Sequence, residues 1–302
     1  MRRSSARPFD VSGRTVFITG AARGIGAATA ERLYRKGANV ALVGLEPERL
    51  MELAARLGDR AVAFEADVTD LDALNRAVEG TVGRFGGIDV AIANAGLQFN
   101  GALATAPIEQ VERILAVNFL GVWRTDRAVI GHIEERRGYL LNISSLSAVA
   151  HGPLLGAYTA TKAGVEALSD SLRSETAHTG AQIGCAYFGF LDTDLVRAGF
   201  AHTSATLLEG PGFLLRPAPL SKAIDAIERG IERRSARVWA PWWVGPMILL
   251  RGGLQPLLET RFRRNPQLPG ALRELDPAAA HASDQAIADQ DPLLGVAARA
   301  ID

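Results

Sequence analysis

Cysteine is almost absent: Cys185 is the one thiol in 302 residues. That excludes an internal disulfide and a cysteine-built zinc cluster, and it fits a reducing cytoplasm, the expected location. A surplus of charge is absent too, with 33 basic against 33 acidic residues. Nucleic-acid binding through phosphates requires a basic excess, so no nucleic-acid partner is expected. Long apolar runs are lacking as well. The longest, Val238 to Leu250, holds two prolines and stops at Arg251, short of the ~18 residues of a spanning helix. Met1-Arg2-Arg3 opens like an export signal, but Ser4 to Gly13 offers no apolar stretch of the ~7–15 residues such a signal needs. Lysine is scarce, since only Lys36, Lys162 and Lys222 stand among 33 basic residues.

What is present is alternation. Arg14 to Thr19 is a short β-branched run that breaks at Gly20, and Ile25 to Lys36 follows with helical apolar spacing up to Gly37. Strand and helix then repeat: strands at Val40–Val43, Ala61–Glu65, Ile88–Ala93, Tyr139–Ser144, Gln182–Phe188 and Ala236–Ala240, helices at Pro47–Leu57, Asp70–Phe85, Pro107–Glu135, Gly156–His178 and Ser221–Arg233. Such alternation predicts an α/β fold, a single doubly wound Rossmann-type domain with a parallel sheet and helices on both faces. The domain is expected over residues 1–264, with an apolar lid at about 195–219 (Phe200, Leu207, Leu208, Phe213, Leu214, Leu215) and an apolar segment at 238–258. Residues 265–302, rich in Pro, Ala, Asp and Gln, read as a peripheral tail.

Gly20, Gly24 and Gly26 sit directly after the first strand and open the first helix. Glycines there suit a tight turn, close backbone approach to a pyrophosphate, and phosphate binding at a helix N-terminus. The spacing is Gly-x3-Gly-x-Gly, which differs from the common Gly-x-Gly-x2-Gly fingerprint.

Together with Asn94-Ala95-Gly96 after the fourth strand and Tyr158-x3-Lys162 on a later helix, the turn resembles the short-chain dehydrogenase/reductase family, over roughly Arg14 to Val238. The resemblance implies an NAD(P)-dependent oxidoreductase interconverting a secondary alcohol and a ketone by hydride transfer, with no metal. It implies a catalytic set of Asn118, Ser145, Tyr158 and Lys162; Ser145 stands thirteen residues before the tyrosine. Cofactor contacts are expected from Gly20, Arg23, Gly24, Ile25, Gly26, Glu46, Asp67, Val68, Asn94, Ala95, Gly96, Tyr158, Lys162, Gly189, Leu191 and Thr193. Phe188-Gly189 stands where the family has Pro-Gly, so a less rigid nicotinamide-side loop is expected. A homodimer or homotetramer is implied through the long helices near Pro107–Glu135 and Gly156–His178.

The chemistry of the pair supports the resemblance. Four residues apart on a helix, Tyr158 and Lys162 share a face, and an ammonium near a phenol of ordinary pKa ~10 favours the phenolate. Strand alternation sends Ser144 and Ser145 to opposite faces, and the spacing selects Ser145. Asp67 fits an adenine contact or the cap of the next helix. At the end of the second strand Gly44-Leu45-Glu46 reads for neither dinucleotide: Arg23 would meet a 2′-phosphate and Glu46 a 2′-hydroxyl, and the reading leans to NADP over NAD. Gln98, Leu146, Leu155 and Phe188 are expected to line a pocket for a small hydrophobic substrate.

Three alternatives stay beside this reading. An extended-branch sugar-nucleotide epimerase shares the tyrosine–lysine pair but usually differs in its glycine motif. A catalytically silent dinucleotide-binding scaffold is another, against which the full catalytic set stands. The third is a membrane-surface lipid or steroid reductase, suggested by Trp239, Trp242, Trp243, Met247, Ile248 and Leu249 beside Arg251, Arg261, Arg263 and Arg264. A pocket wall or subunit contact is the reading preferred for that segment over peripheral membrane contact.

Overall fold

The computed structural model describes residues 8–193 and 216–274. Its centre is a seven-stranded, all-parallel sheet ordered β3-β2-β1-β4-β5-β6-β7, built from β1 (Thr15–Thr19), β2 (Asn39–Gly44), β3 (Ala61–Glu65), β4 (Val90–Ala93), β5 (Tyr139–Ile143), β6 (Gln182–Phe188) and β7 (Arg237–Ala240). The order reverses between β1 and β4, the switch point at which open α/β sheets bind ligands. Alternation along each strand feeds two cores. Val16 and Ile18 face α1 (Gly24–Arg35), α2 (Pro47–Leu57) and α7 (Leu220–Arg233), with Leu33, Leu50 and Ile227 in the same cluster. Phe17 and Leu140 face the opposite way, toward α3 (Leu71–Phe85) and α5 (Gly121–Glu135), which contribute Val78 and Val129.

The expected helix from Pro107 to Glu135 is not continuous. It runs as α4 (Ile108–Leu115), a π-helical turn over Ala116–Leu120, and then α5. The i→i+5 turn inserts one residue and re-aims those around it. Asn118, at its middle, is fully buried. Next along the chain, α6 (Gly156–Glu175) ends three residues before the expected His178, its last turn closed by the Thr176 amide on the Leu172 carbonyl.

After β7 the apolar segment is a helix that the prolines had hidden. α8 (Val244–Arg263) carries Pro246 in its first turn, where no intrahelical donor is lost, and Pro256 inside it. Beyond it, α9 (Leu268–Glu274) packs buried Ala271 against Leu154. Residues 195–215 of the expected lid, with its six apolar side chains, and the tail from 275 lie outside the described residues. The segment between β6 and α7 is tied at its two described ends by a bridge of Leu191 to Ala218, whose amide donates to the Phe190 carbonyl at 2.8 Å.

Candidate active site

Gly20 and Gly24 have φ of +64° and +57°, a left-handed backbone that glycine adopts without strain. Gly26 answers to a different demand, since a Cβ there would lie 2.2 Å from the Gly20 carbonyl oxygen. Its missing side chain lets the start of α1 close onto the turn. Asn94 holds the turn from the neighbouring strand: its Nδ2 donates to the Thr19 and Gly20 carbonyls at 3.0 and 3.1 Å, and its backbone amide donates to Thr19 Oγ1 at 3.0 Å. The Asn94 side chain, expected among the cofactor contacts, is thus engaged in shaping the turn, as is Thr19, which the sequence reading missed. Ala95 shares that hydroxyl at 3.3 Å, and Gly96 lies beside Asn118 and Lys162.

At the mouth of the turn α1 starts after Arg23, its N-cap residue, with no side-chain cap and no acid in its first turn. No atom lies within 4 Å of the place a Gly24 Cβ would take. An uncapped helix end with open backbone in front of it suits a pyrophosphate, so the residues present fit a dinucleotide. Ile25 is partly buried and packs against the core below the turn.

The four catalytic candidates come from the π turn, the end of β5 and the first turns of α6. Ser145, buried just past the end of β5, acts on the Tyr158 phenol to hold its pKa down, and its hydroxyl accepts the Ser147 amide at 3.1 Å. β5 stops at Ile143, before both serines, and Ser144 turns away from the site, donating to the Lys162 carbonyl at 2.8 Å. Lys162 Nζ lies 5.7 Å from the Tyr158 ring centroid and donates to the Ile143 carbonyl at 2.9 Å. Asn118 is clamped to Leu97 in both directions, accepting its amide at 2.7 Å and donating to its carbonyl at 2.8 Å, with Thr161 Oγ1 at 3.5 Å.

Burial governs the electrostatics of this group, contrary to the simple expectation of an ammonium lowering the phenol. Desolvation pushes the Tyr158 phenol above its ordinary value, opposed by the Ser145 hydrogen bond. Desolvation also brings the Lys162 ammonium down, to about 8.

At the end of β2 the two residues weighed as competitors are partners. Arg23 Nε lies 3.2 Å from Glu46 Oε1, and Arg49 Nη1 lies 3.0 Å from Glu46 Oε2. Arg49 was missed; its position three residues after Glu46 on a helix was the available signal. Asp67 does not cap α3. Asp70 does, accepting the Asp72 and Ala73 amides, while Asp67 accepts the Thr69 amide at 2.8 Å in a local turn. Val68 is buried where a Gly121 Cβ would fall.

On the nicotinamide side Gly189 allows Trp243 to approach: a Cβ there would be 2.9 Å from the indole. Leu191 is buried, and the Thr193 amide donates to its carbonyl at 2.9 Å. Of the expected pocket residues, Leu146 packs with Ala148, Val149, Tyr187 and Trp243. Gln98 donates to Asn100 Oδ1 at 3.2 Å, and Leu155 stands at the start of α6. Phe188 does not open to a pocket; strand alternation turns it into the core of α1 and α7 while Tyr187 faces Trp243. An open pocket of about 490 Å³ lies nearby between Arg216–Pro219 and Pro241–Trp243.

The sequence pattern of the short chain dehydrogenases matches residues 14–203. The 2-(R)-hydroxypropyl-CoM dehydrogenase of Xanthobacter autotrophicus is 33% identical over 61% of this chain and 77% of its own. An uncharacterized oxidoreductase of Mycobacterium tuberculosis is 31% identical over 84% of this chain and 73% of its own. Among solved structures, a 3-ketoacyl-(acyl-carrier-protein) reductase from Brucella melitensis complexed with NADH superposes with a TM-score of 0.69 at 24% identity, over 76% of this chain and 97% of its own. Fold and family together define an oxidoreductase that works with a nicotinamide dinucleotide. The chain belongs to the short-chain dehydrogenase family.

Proposed function

We propose that this enzyme interconverts a secondary alcohol and a ketone on an apolar substrate, with Tyr158 as the proton donor and acceptor. The observation that carries the reading is the grouping of the buried Tyr158 phenol with Ser145, whose side chain holds the phenol pKa down, and Lys162, whose Nζ lies 5.7 Å from the ring centroid. A bound nicotinamide dinucleotide supplies or takes the hydride. Around it, the Ser145 hydroxyl holds the substrate oxygen, and Tyr158, kept neutral by burial, has its proton in place for ketone reduction. Lys162 holds its charge close to the tyrosine and Gly96, where a ribose hydroxyl would lie. Asn118 fixes the Asn94–Leu97 segment over the site through its two bonds to Leu97.

Trp243, with Pro217, Ala218 and Pro241 on the open pocket, supports an apolar substrate, sterol-like or acyl-chain-like. A panel of steroids, long-chain secondary alcohols, sugars and hydroxy acids followed by nicotinamide absorbance tests it: steroids or long-chain alcohols are turned over best. Preference for sugars or hydroxy acids contradicts it. For the dinucleotide we favour NADP, because two guanidinium groups flank one carboxylate at the end of β2. Arg23→Ala weakens NADP at least about tenfold more than NAD, as loss of a charge-assisted phosphate contact should. Equal losses in titration calorimetry contradict the choice. Subunit pairing through α5 and α6 is part of the same reading, and half-exposed Trp123 on α5 would serve it.

A further inference from the structure

α8 carries apolar side chains on its outer as well as its inner side, which a helix at a protein surface does not need. Val244, Ile248, Arg251 and Gln255, spaced by steps of four, three and four, form its inner face. That face carries its polar contacts: Arg251 Nη1 lies 2.7 Å from buried Glu166, which also accepts from the Tyr187 hydroxyl at 2.9 Å, and Gln255 Oε1 accepts the His151 amide at 2.9 Å. Outward point Pro246, Leu249, Leu250, Gly253 and Leu257, again at three- and four-residue steps. Leu249, Leu250 and Leu257 are 84, 68 and 70% exposed, and Trp242, just ahead of the helix, is 74% exposed. The position of Arg251 and Gln255 fixes the rotation of the helix, so the leucines cannot turn inward without breaking those bonds.

We propose that this outer face lies on an anionic lipid surface, with the leucines and Trp242 in the acyl boundary and the arginines at the C-terminal end of α8 on the headgroups. No helix among the described residues is long and apolar enough to cross a membrane, and a helix of 20 residues, about 30 Å long, lying flat needs only one apolar face. Charge selects lipid over a second copy of the chain. Arg263 and Arg264 follow the leucines, and Glu259, the single acid of α8, already accepts from Gln255 at 3.2 Å. Two such faces paired about a twofold axis would offer the arginines leucines and prolines, with no free carboxylate of the helix to meet them. A surface of anionic headgroups meets both halves of the pattern.

Co-sedimentation of the full chain with phosphatidylcholine vesicles, with and without phosphatidylglycerol, tests this. Wild type pellets with the anionic vesicles and stays in solution with the neutral ones. The pair Leu249→Ser and Leu257→Ser, and separately Arg263→Glu and Arg264→Glu, each reduce partitioning at least about tenfold while dinucleotide affinity, the check on folding, is unchanged. The proposal is overturned if wild type does not pellet with anionic vesicles, or if either pair leaves partitioning unchanged. It is also overturned if the leucine pair instead dissociates a dimer in analytical ultracentrifugation while vesicles bind nothing.

Discussion

Asp126 on α5 is enclosed beside Asn142 of β5, whose Nδ2 donates to it at 2.8 Å and to Ser169 Oγ at 3.1 Å. The other oxygens of the pair, Asp126 Oδ1 and Asn142 Oδ1, have no partner among the described residues. Burial raises the carboxyl from 3.8 to about 8. Between those values the folded chain keeps a proton that the unfolded chain has released, so stability falls as pH rises through that window and levels off above about 8. An amide at this position accepts from Asn142 as the neutral carboxyl does, offers a donor to the orphaned Asn142 oxygen, and does not titrate. Asp126→Asn therefore flattens the loss of Tm between pH 5 and pH 8, measured by calorimetry; an unchanged slope would show that Asp126 is not the group responsible.

Among elements, the β1–turn–α1 unit shows what a sequence can disclose. The Gly26 Cβ clash with the Gly20 carbonyl is with backbone, which cannot yield. Gly26→Ala should weaken dinucleotide binding at least about a hundredfold by forcing the helix start off the turn. Gly83→Ala, on α3 with open space around its Cβ, leaves binding alone and stabilises the fold by about 0.5–1 kcal/mol. Isothermal titration and urea unfolding of the two variants separate these outcomes. Glycine spacing and apolar alternation were legible because each is written in consecutive residues. The π turn at Ala116–Leu120 was not, since the apolar spacing on either side of it reads as helix and no residue in it marks a change from i→i+4 to i→i+5 bonding. α8 was masked by Pro246 and Pro256, and by an outer face of leucines that erases the usual helical contrast between inside and outside.

For the molecule as a whole, the order of the sheet brings the ends of β1, β4, β5 and β6 to one edge and collects there residues more than a hundred positions apart. The spacing of Ser145, Tyr158 and Lys162 was readable; the engagement of Lys162 with the Ile143 carbonyl was not, because it depends on how α6 settles against β5. Likewise the Arg23–Glu46–Arg49 cluster exists only once the turn and the start of α2 are side by side. The most direct test of the account is nicotinamide-linked turnover by Tyr158→Phe, with dinucleotide affinity measured on the same preparation and the best substrate of the panel. Turnover falls at least ~10²-fold, the range for losing a positioned acid or base, while dinucleotide affinity stays within about threefold of wild type. Turnover close to wild type would contradict the assignment of the proton to Tyr158.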